Sequence, residues 1–373
     1  MSKWATLSKG LGGMFRTIII RSFGTSLGKR GERLVIRHPE PRKDPGSAAA
    51  ETTADPVERP KRPKRVEEEI PFFRIGELVL PPRGVSISTD VIEEAAQRGI
   101  PVTFLTSSGQ PFAMITSPML TATTATRRSQ LRAMDRKLGA ELARAFVAGK
   151  LRNQASLLVY FAKADKSEPE RRQAVHAQAM EVRRARKLVL AVTGSSPDAV
   201  RDELMGYEGF GARSYWAGIK ALLAGRICFE GRTGRGAVDP VNALLNYGYG
   251  VLASRTWAAI LHAGLDPFAG MLHADRSGKP SLVLDLMEEL RAPAVDRAVL
   301  SYVRLGRPIR FEGSELDEES RKNIAEAVLE RLAAPVTVQG RKVLLGSIVQ
   351  RQARSLATHV RGEGSYKPFA MTW

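Results

Sequence analysis

The chain has 373 residues, enough for two domains on ordinary domain sizes, and its hydrophobic fraction of 43% is enough to build packed cores. Lys and Arg outnumber Asp and Glu by 57 to 39, a formal net charge of +18 that favours polyanionic partners, nucleic acid ahead of an anionic membrane surface. No run of about 18 apolar residues is present, which argues against a membrane-spanning helix, and the single cysteine, Cys228, excludes an intramolecular disulfide and a cysteine metal cluster. Cys228 is expected as a small buried hydrophobe, and a reducing cytoplasm is the expected location.

The N-terminal MSKWATLSKGLGGMFRTIII has a basic start and a short apolar run interrupted by Arg16. It lacks a small-residue cleavage site and reads as a loose end leading into a first strand. Short apolar or β-branched runs at 17–22 (TIIIRS), 32–37 (ERLVIR), 76–81 (GELVLP), 101–106 (PVTFLT) and 111–118 (PFAMITSP) predict strands. Between them TDVIEEAAQRG predicts a helix capped by Thr89 and ended by Gly99. Residues 38–65 carry six prolines and many charges with almost nothing to bury, and are expected to be a disordered insertion between two strands. Its KRPKR end reads either as a DNA contact or as a solvated loop.

From Ala125 the apolar spacing turns helical. One long helical segment is expected to about Lys163, then helices at 168–192, 198–205, 209–223, 240–263, 281–290, 315–333 and 344–359. The expected fold is therefore α+β in two domains. A small β-rich N-terminal domain covers 1–118, with the insertion at 38–65, and a larger all-α domain covers 119–373.

Basic stripes run along the predicted helices. Arg127, Arg128, Arg132, Arg136 and Lys137 form one, and Arg183, Arg184, Arg186 and Lys187 another. They read as solvated faces or as phosphate contacts, which supply affinity and not base specificity. Among five histidines, His273 stands out because a Gly/Pro-containing loop joins it to the acid-bearing helix at 281–290. Asp285 and Glu288 are three apart on that helix and share a side. Carboxylates beside an imidazole suit Mg²⁺ or Mn²⁺, although ordinary surface acids would look the same. Glu289 reads as a helix-surface residue. Glu208, between Gly206 and Gly209, reads as a residue entering a new helix, either complementing its dipole or ligating a metal. Spacing alone does not choose.

Four motifs in order, GYEGFGARSYW, DPVNALLNYGYGVL, AGLDPFAGMLH and PSLVLDLMEELR, resemble those of the CRISPR-associated spacer-acquisition integrases, the "Cas one" family. GERLVI and IPFFRIGELVLPPRGVSISTDVIEEAAQRGIPVTFLTSSGQP resemble that family's β-rich domain. The insertion at 38–65 is longer than the family leads one to expect, which leaves the pairing of the first strands open. The resemblance implies a metal-dependent DNA endonuclease and integrase that joins the 3′-hydroxyl ends of short foreign DNA to the CRISPR array. It implies Glu208, His273 and Glu288 as the catalytic metal ligands for Mg²⁺ or Mn²⁺, with Asp285 as a second candidate. It further implies double-stranded DNA as partner (prespacer and repeat), a homodimer through the N-terminal domain and a small "Cas two" protein, with no membrane. Arg226, Arg232 and Arg235 are expected in a flexible basic loop near the site, touching DNA together with Arg183 and Arg184, or simply mobile. Tyr215 and Trp216 are expected in the helix core rather than stacked on bases. Two other readings stay open. One is a stand-alone nuclease or casposon-type transposase, for which GEGSYKPFAMTW offers no convincing extra DNA-binding module. The other is a non-catalytic DNA-binding scaffold.

Overall fold

The computed structural model describes residues 5–7, 16–20, 23–39, 65–107, 109–117, 123–164, 168–234, 237, 239–338 and 340–373. These fall into two compact units, one built from the first 105 residues with 112–117, the other chiefly from 118 onward.

The first unit holds two sheets. In one, β1 (Ala5–Leu7), β2 (Arg16–Ile20), β6 (Ile75–Leu80), β8 (Val102–Leu105) and β9 (Pro111–Ile115) follow that order. β2 pairs in parallel with β6, and β6 with β8. Interior parallel strands are covered on both faces, and the sequence shows it: Thr17 through Ile20 and Glu77 through Leu80 are buried without alternation. In the other sheet the order is β5 (Arg65–Pro71), β4 (Arg33–Pro39), β3 (Thr25–Arg30), β7 (Val85–Ile87). Helix α1 (Thr89–Gln97) adds Val91 and Ala95 to a core with Ile18, Leu34, Ile36, Phe72 and Leu78.

β4 and β5 pair antiparallel from Arg33↔Pro71 to Pro39↔Arg65. The expected insertion is therefore a strand connection, whose two ends, His38–Pro39 and Arg65, belong to the ladder. Its remaining residues, 40–64, lie outside the described residues.

The second unit is helical: α2 (Thr123–Met134), α3 (Lys137–Ala164), α4 (Pro169–Ala191), α5 (Pro197–Leu223), α6 (Pro240–His262), α7 (Ser281–Leu290), α8 (Arg297–Arg304), α9 (Glu318–Ala333) and α10 (Leu345–Val360). The expected all-α character needs a small correction. Hairpins β10–β11 (Phe311–Glu312 with Glu315–Leu316) and β12–β13 (Pro335–Val338 with Arg341–Leu344) flank α9. The segment expected as one helix from Ala125 is two, broken at Asp135 and Arg136. Conversely, the helices expected at 198–205 and 209–223 are one, α5. Helices α3, α4 and α5 pack on one another, and α3 also packs on α7. Between α7 and α8 the backbone widens into a π turn over Arg291–Asp296. Pro293 sits there, without the N–H that a regular α-turn would use. Among the described residues no helix is long and apolar enough to cross a membrane.

Candidate functional site

The site is assembled from the middle of α3, the middle of α5, the loop before α7 and the end of α7. Glu208 lies within α5, not at the start of a new helix as its flanking glycines suggest. Gly211, one turn on, lets α5 lie close to α3 and α4. A Cβ there would stand 2.4 Å from Leu151 Cδ2 and 3.1 Å from Ala185 Cβ. That approach brings Lys150 of α3 to Glu208, with Nζ donating to Oε1 at 2.6 Å.

The same ammonium lies 2.7 Å from Glu288 Oε2. This contact is off the hydrogen-bonding direction, so Oε2 is a buried carboxylate oxygen with no hydrogen bond. Arg291, one turn after Glu288, places its Nε 3.2 Å from Oε1. Burial pushes the Glu288 carboxyl up, but Arg291, Lys150 and His273 together outweigh it and hold it at about 2. Lys150 shows the converse balance: burial opposes its charge, and Glu288 and Glu208 keep its ammonium above the ordinary range.

Asp285 is fully buried at the foot of this arrangement. Its carboxylate accepts the backbone N–H groups of Met271, Leu272 and His273 at 2.6, 2.9 and 3.0 Å. Gly270 permits this, because a Cβ there would stand 2.6 Å from Ser281 Cβ and 3.0 Å from Asp285 Oδ2. Asp285 Oδ1 also lies 2.6 Å from His273 Nδ1. An acceptor already loaded with donors places the ring proton on Nδ1 and the lone pair on Nε2. Asp285 thus orients the imidazole and fixes its tautomer, as a carboxylate behind a metal-binding histidine does.

Glu208 and Glu288 line a cavity of about 680 Å³ with Lys150, Arg213, Arg232 and Arg291. Trp216 and Tyr249 form its aromatic wall. His273 is not on that wall. Arg291 stacks 4.6 Å from the Tyr249 ring centroid and Arg232 5.4 Å from it. Tyr249 and Tyr215 both donate to the buried Asp296, at 2.5 and 2.6 Å. Tyr215 is core as expected, whereas the half-buried Trp216 faces the cavity.

The basic loop divides. Arg232 is anchored, donating to Asn242 Oδ1 at 2.9 Å and Asn246 Oδ1 at 2.6 Å. Arg226 is exposed just beyond α5 and away from the cavity wall, and Arg235 lies outside the described residues. Arg183 and Arg184 are exposed on α4, Arg183 against Met180 Sδ and Arg184 3.7 Å from Glu181. Glu289 is not a surface residue. It is fully buried and accepts from Gln352, Tyr366 and the Phe369 N–H. Cys228 is exposed, not buried as expected.

Among the described residues, no three His, Cys, Asp or Glu side chains are grouped tightly enough to hold an ion as they stand. The space between the two acids is taken by the Lys150 ammonium. The donor set still suits a divalent cation: two carboxylates already sharing one positive charge, one with an oxygen lacking a hydrogen bond, beside an imidazole whose Nε2 lone pair is free of its own proton.

The residues that sequence reasoning missed are Lys150, Arg291 and Tyr249. Arg291 was accessible as the i+3 partner of Glu288, and Lys150 as the lone charge in the apolar stretch AFVAGKL.

The protein-family model described as CRISPR associated protein Cas1 matches residues 18–330. The CRISPR-associated endonuclease Cas1 1 of Archaeoglobus fulgidus is 35% identical over 302 residues, covering 77% of this chain and 87% of that relative. Two solved structures share the fold. A casposase bound to an integration product superposes with TM-score 0.74 at 20% identity, over 95% of this chain and 93% of that one. A Cas6-RT-Cas1–Cas2 complex superposes with TM-score 0.71 at 19% identity, over 99% of this chain and 37% of that one. With a family match across most of its length and this relative spanning both units, the chain belongs to the CRISPR-associated Cas1 endonuclease family.

Proposed function

We propose that the chain is a metal-dependent integrase of CRISPR adaptation, joining the 3′-hydroxyl ends of short foreign duplexes to the CRISPR array. The observation that carries this reading is the pairing of Glu208 and Glu288 across one ammonium inside a predominantly cationic cavity. Acids that would repel phosphate are kept at the centre of a basic pocket, which is rational if they serve a cation that the phosphate needs. Bound there by Glu208, Glu288 and His273 Nε2, Mg²⁺ or Mn²⁺ would neutralise the scissile phosphate and align the attacking oxygen.

The chain's own residues do the rest. Lys150, Arg213, Arg232 and Arg291 draw the phosphodiester into the cavity and offset its charge. Asp285 holds the His273 ring through Nδ1, which leaves Nε2 as its ligating atom. Trp216 and Tyr249 give the terminal nucleotide an apolar wall. In the reaction one P–O bond forms to the incoming 3′-oxygen as one breaks to the strand's own 3′-oxygen. The number of phosphodiesters is conserved, so neither an external energy source nor a covalent enzyme intermediate is required.

The partners on this reading are the prespacer duplex, the repeat, a second copy of the chain and a Cas2 protein. The Cas2 assignment is supported by the fold shared with part of a chain of the Cas6-RT-Cas1–Cas2 complex. The test is strand transfer with a short duplex bearing free 3′-hydroxyls, a supercoiled plasmid carrying the repeat, and Mg²⁺ or Mn²⁺, with and without Cas2. Relaxed plasmid joined to the duplex is expected from the wild type and lost in His273→Ala and with chelator. Full strand transfer by Glu208→Ala would overturn the assignment in favour of a scaffold.

A further inference from the structure

A second cavity, of about 330 Å³, opens on the other side of α3. At about 100° per residue, the α3 residues on its wall (Glu141, Arg144, Ala145, Ala148, Arg152) centre roughly half a turn from Lys150 and Gln154, which line the catalytic cavity. It is therefore a separate site. Arg144 and Arg152 of α3, Arg186 of α4, and His359 and Tyr366 from α10 and the segment after it surround it.

Among the described residues its arginines are not ion-paired. Among the described residues, neither Arg152 nor Arg186 has a carboxylate within ion-pair distance. Glu141, the acid on the wall, lies 3.8 Å from Lys137. Arg144 spends one amine on the Val192 carbonyl at 2.9 Å. Arg186 buries its Nε with no hydrogen-bond partner. Burial, and then the neighbouring Arg152, both press the Arg186 guanidinium below its ordinary range. Two guanidiniums brought together in a half-enclosed cavity repel unless an anion lies between them. Arg183, Arg184 and Lys187 continue the positive surface along α4 outside it.

We propose that this cavity binds a backbone phosphate of a DNA strand at a place remote from the reacting phosphodiester. The identity of the anion rests on the DNA-binding reading above. The cavity is too small for a duplex and large enough for one phosphate with its sugar, so it would grip one strand at one point.

The test is the salt dependence of binding a fluorescein-labelled duplex, read by anisotropy, for the wild type, Arg152→Ala, Arg152→Ala/Arg186→Ala and, as a charge control, the exposed Arg341→Ala. Arg152 is exposed, so its single variant folds whatever the double variant does. The log–log slope is expected to fall by about 0.9, one phosphate contact, in the cavity variants and not in the control. An unchanged slope, or an equal fall in Arg341→Ala, overturns the proposal. So does a melting temperature raised by inorganic phosphate in the wild type alone while every slope stays the same, which would mark a free-anion site. Strand transfer on the same samples separates the two readings. A lost slope in a protein that joins no DNA keeps the cavity and removes the integrase. Joining with an unchanged slope removes the cavity alone.

Discussion

Lys150 holds two carboxylates in place with one charge, and three residues thereby become interdependent. Its side chain is 15% exposed, Glu208 17% and Glu288 5%, so this pair of contacts is not a surface salt bridge of negligible weight. Lys150→Met keeps the stem and leaves two partly buried carboxylates facing each other. Removing one partner of a buried ion pair costs about 3 kcal/mol, a fall in melting temperature of roughly 6–12 °C for a unit of this size. Mn²⁺ is then expected to restore stability to Lys150→Met by more than it adds to the wild type, because in the variant the ion meets no competing ammonium. Calorimetry in chelator and in Mn²⁺ checks this; equal shifts in both proteins would place any bound ion elsewhere. The same residue shows what part of the site was legible. Glu208, His273 and Glu288 sit inside contiguous motifs. Lys150 lies 58 residues from Glu208 in the chain, and only the packing of α3 on α5 brings them together. Glu289 was misread for a related reason: nine of the ten residues of α7 are buried, so an acid on any side of it must find partners, and those lie in the distant helix α10 and the tail.

Helix α5 illustrates how packing overrides local preference. Glycine costs a helix interior about 1 kcal/mol relative to alanine, and Gly206, Gly209 and Gly211 within six residues suggest a break. The helix continues because its neighbours α3 and α4 need the close approach at Gly211. The glycines are therefore not equivalent. Gly211→Val would drive a branched side chain into Leu151 and Ala185 and is expected to destabilise by about 2–3 kcal/mol, with a matching loss of joining as Glu208 moves off Lys150. Gly206→Ala meets nothing within 4 Å and is expected to stabilise by up to about 1 kcal/mol. Urea unfolding distinguishes the two, and equal costs would contradict the packing account. Among the strands, β2, β4, β6, β8 and β9 were legible as apolar runs. β3 (TSLGKR) and β5 (RVEEEIP) were not, because their stability comes from pairing. β5 is an edge strand, and its acids meet basic residues of the next two strands: Glu69 with Arg30 at 2.5 Å and Glu67 with Arg37 at 2.7 Å.

At the scale of the whole helical unit, the last residues of the chain close over the back of the site. Asn153 of α3 donates to the carbonyls of Glu289 and Phe369 and accepts from the Met371 N–H. Trp373 packs on Tyr160 at 4.9 Å between ring centroids, with Arg297 and Arg331 at 4.7 and 5.5 Å from its ring. Glu289 is the carboxyl group in this closure, the residue next to Glu288 on α7. Burial pushes its carboxyl up to about 7, against the pull of Gln352, the Phe369 N–H and Tyr366. The sign follows from linkage. The ordinary value of 4.5 holds in the unfolded chain, so the folded state binds this proton more tightly. The stabilisation is complete below 4.5 and is lost as pH rises through 7. Glu289→Gln has no proton to lose. The melting temperature of the wild type minus that of Glu289→Gln should therefore shrink between about pH 5 and about pH 8. Other groups titrating in that range are common to both proteins and cancel in the difference. A difference that stays constant would mean that Glu289 is ionised throughout, its three donors outweighing burial. The tail would then be held by a buried anion, and its removal would cost the unit far more at neutral pH than the loss of a neutral hydrogen-bonded acid.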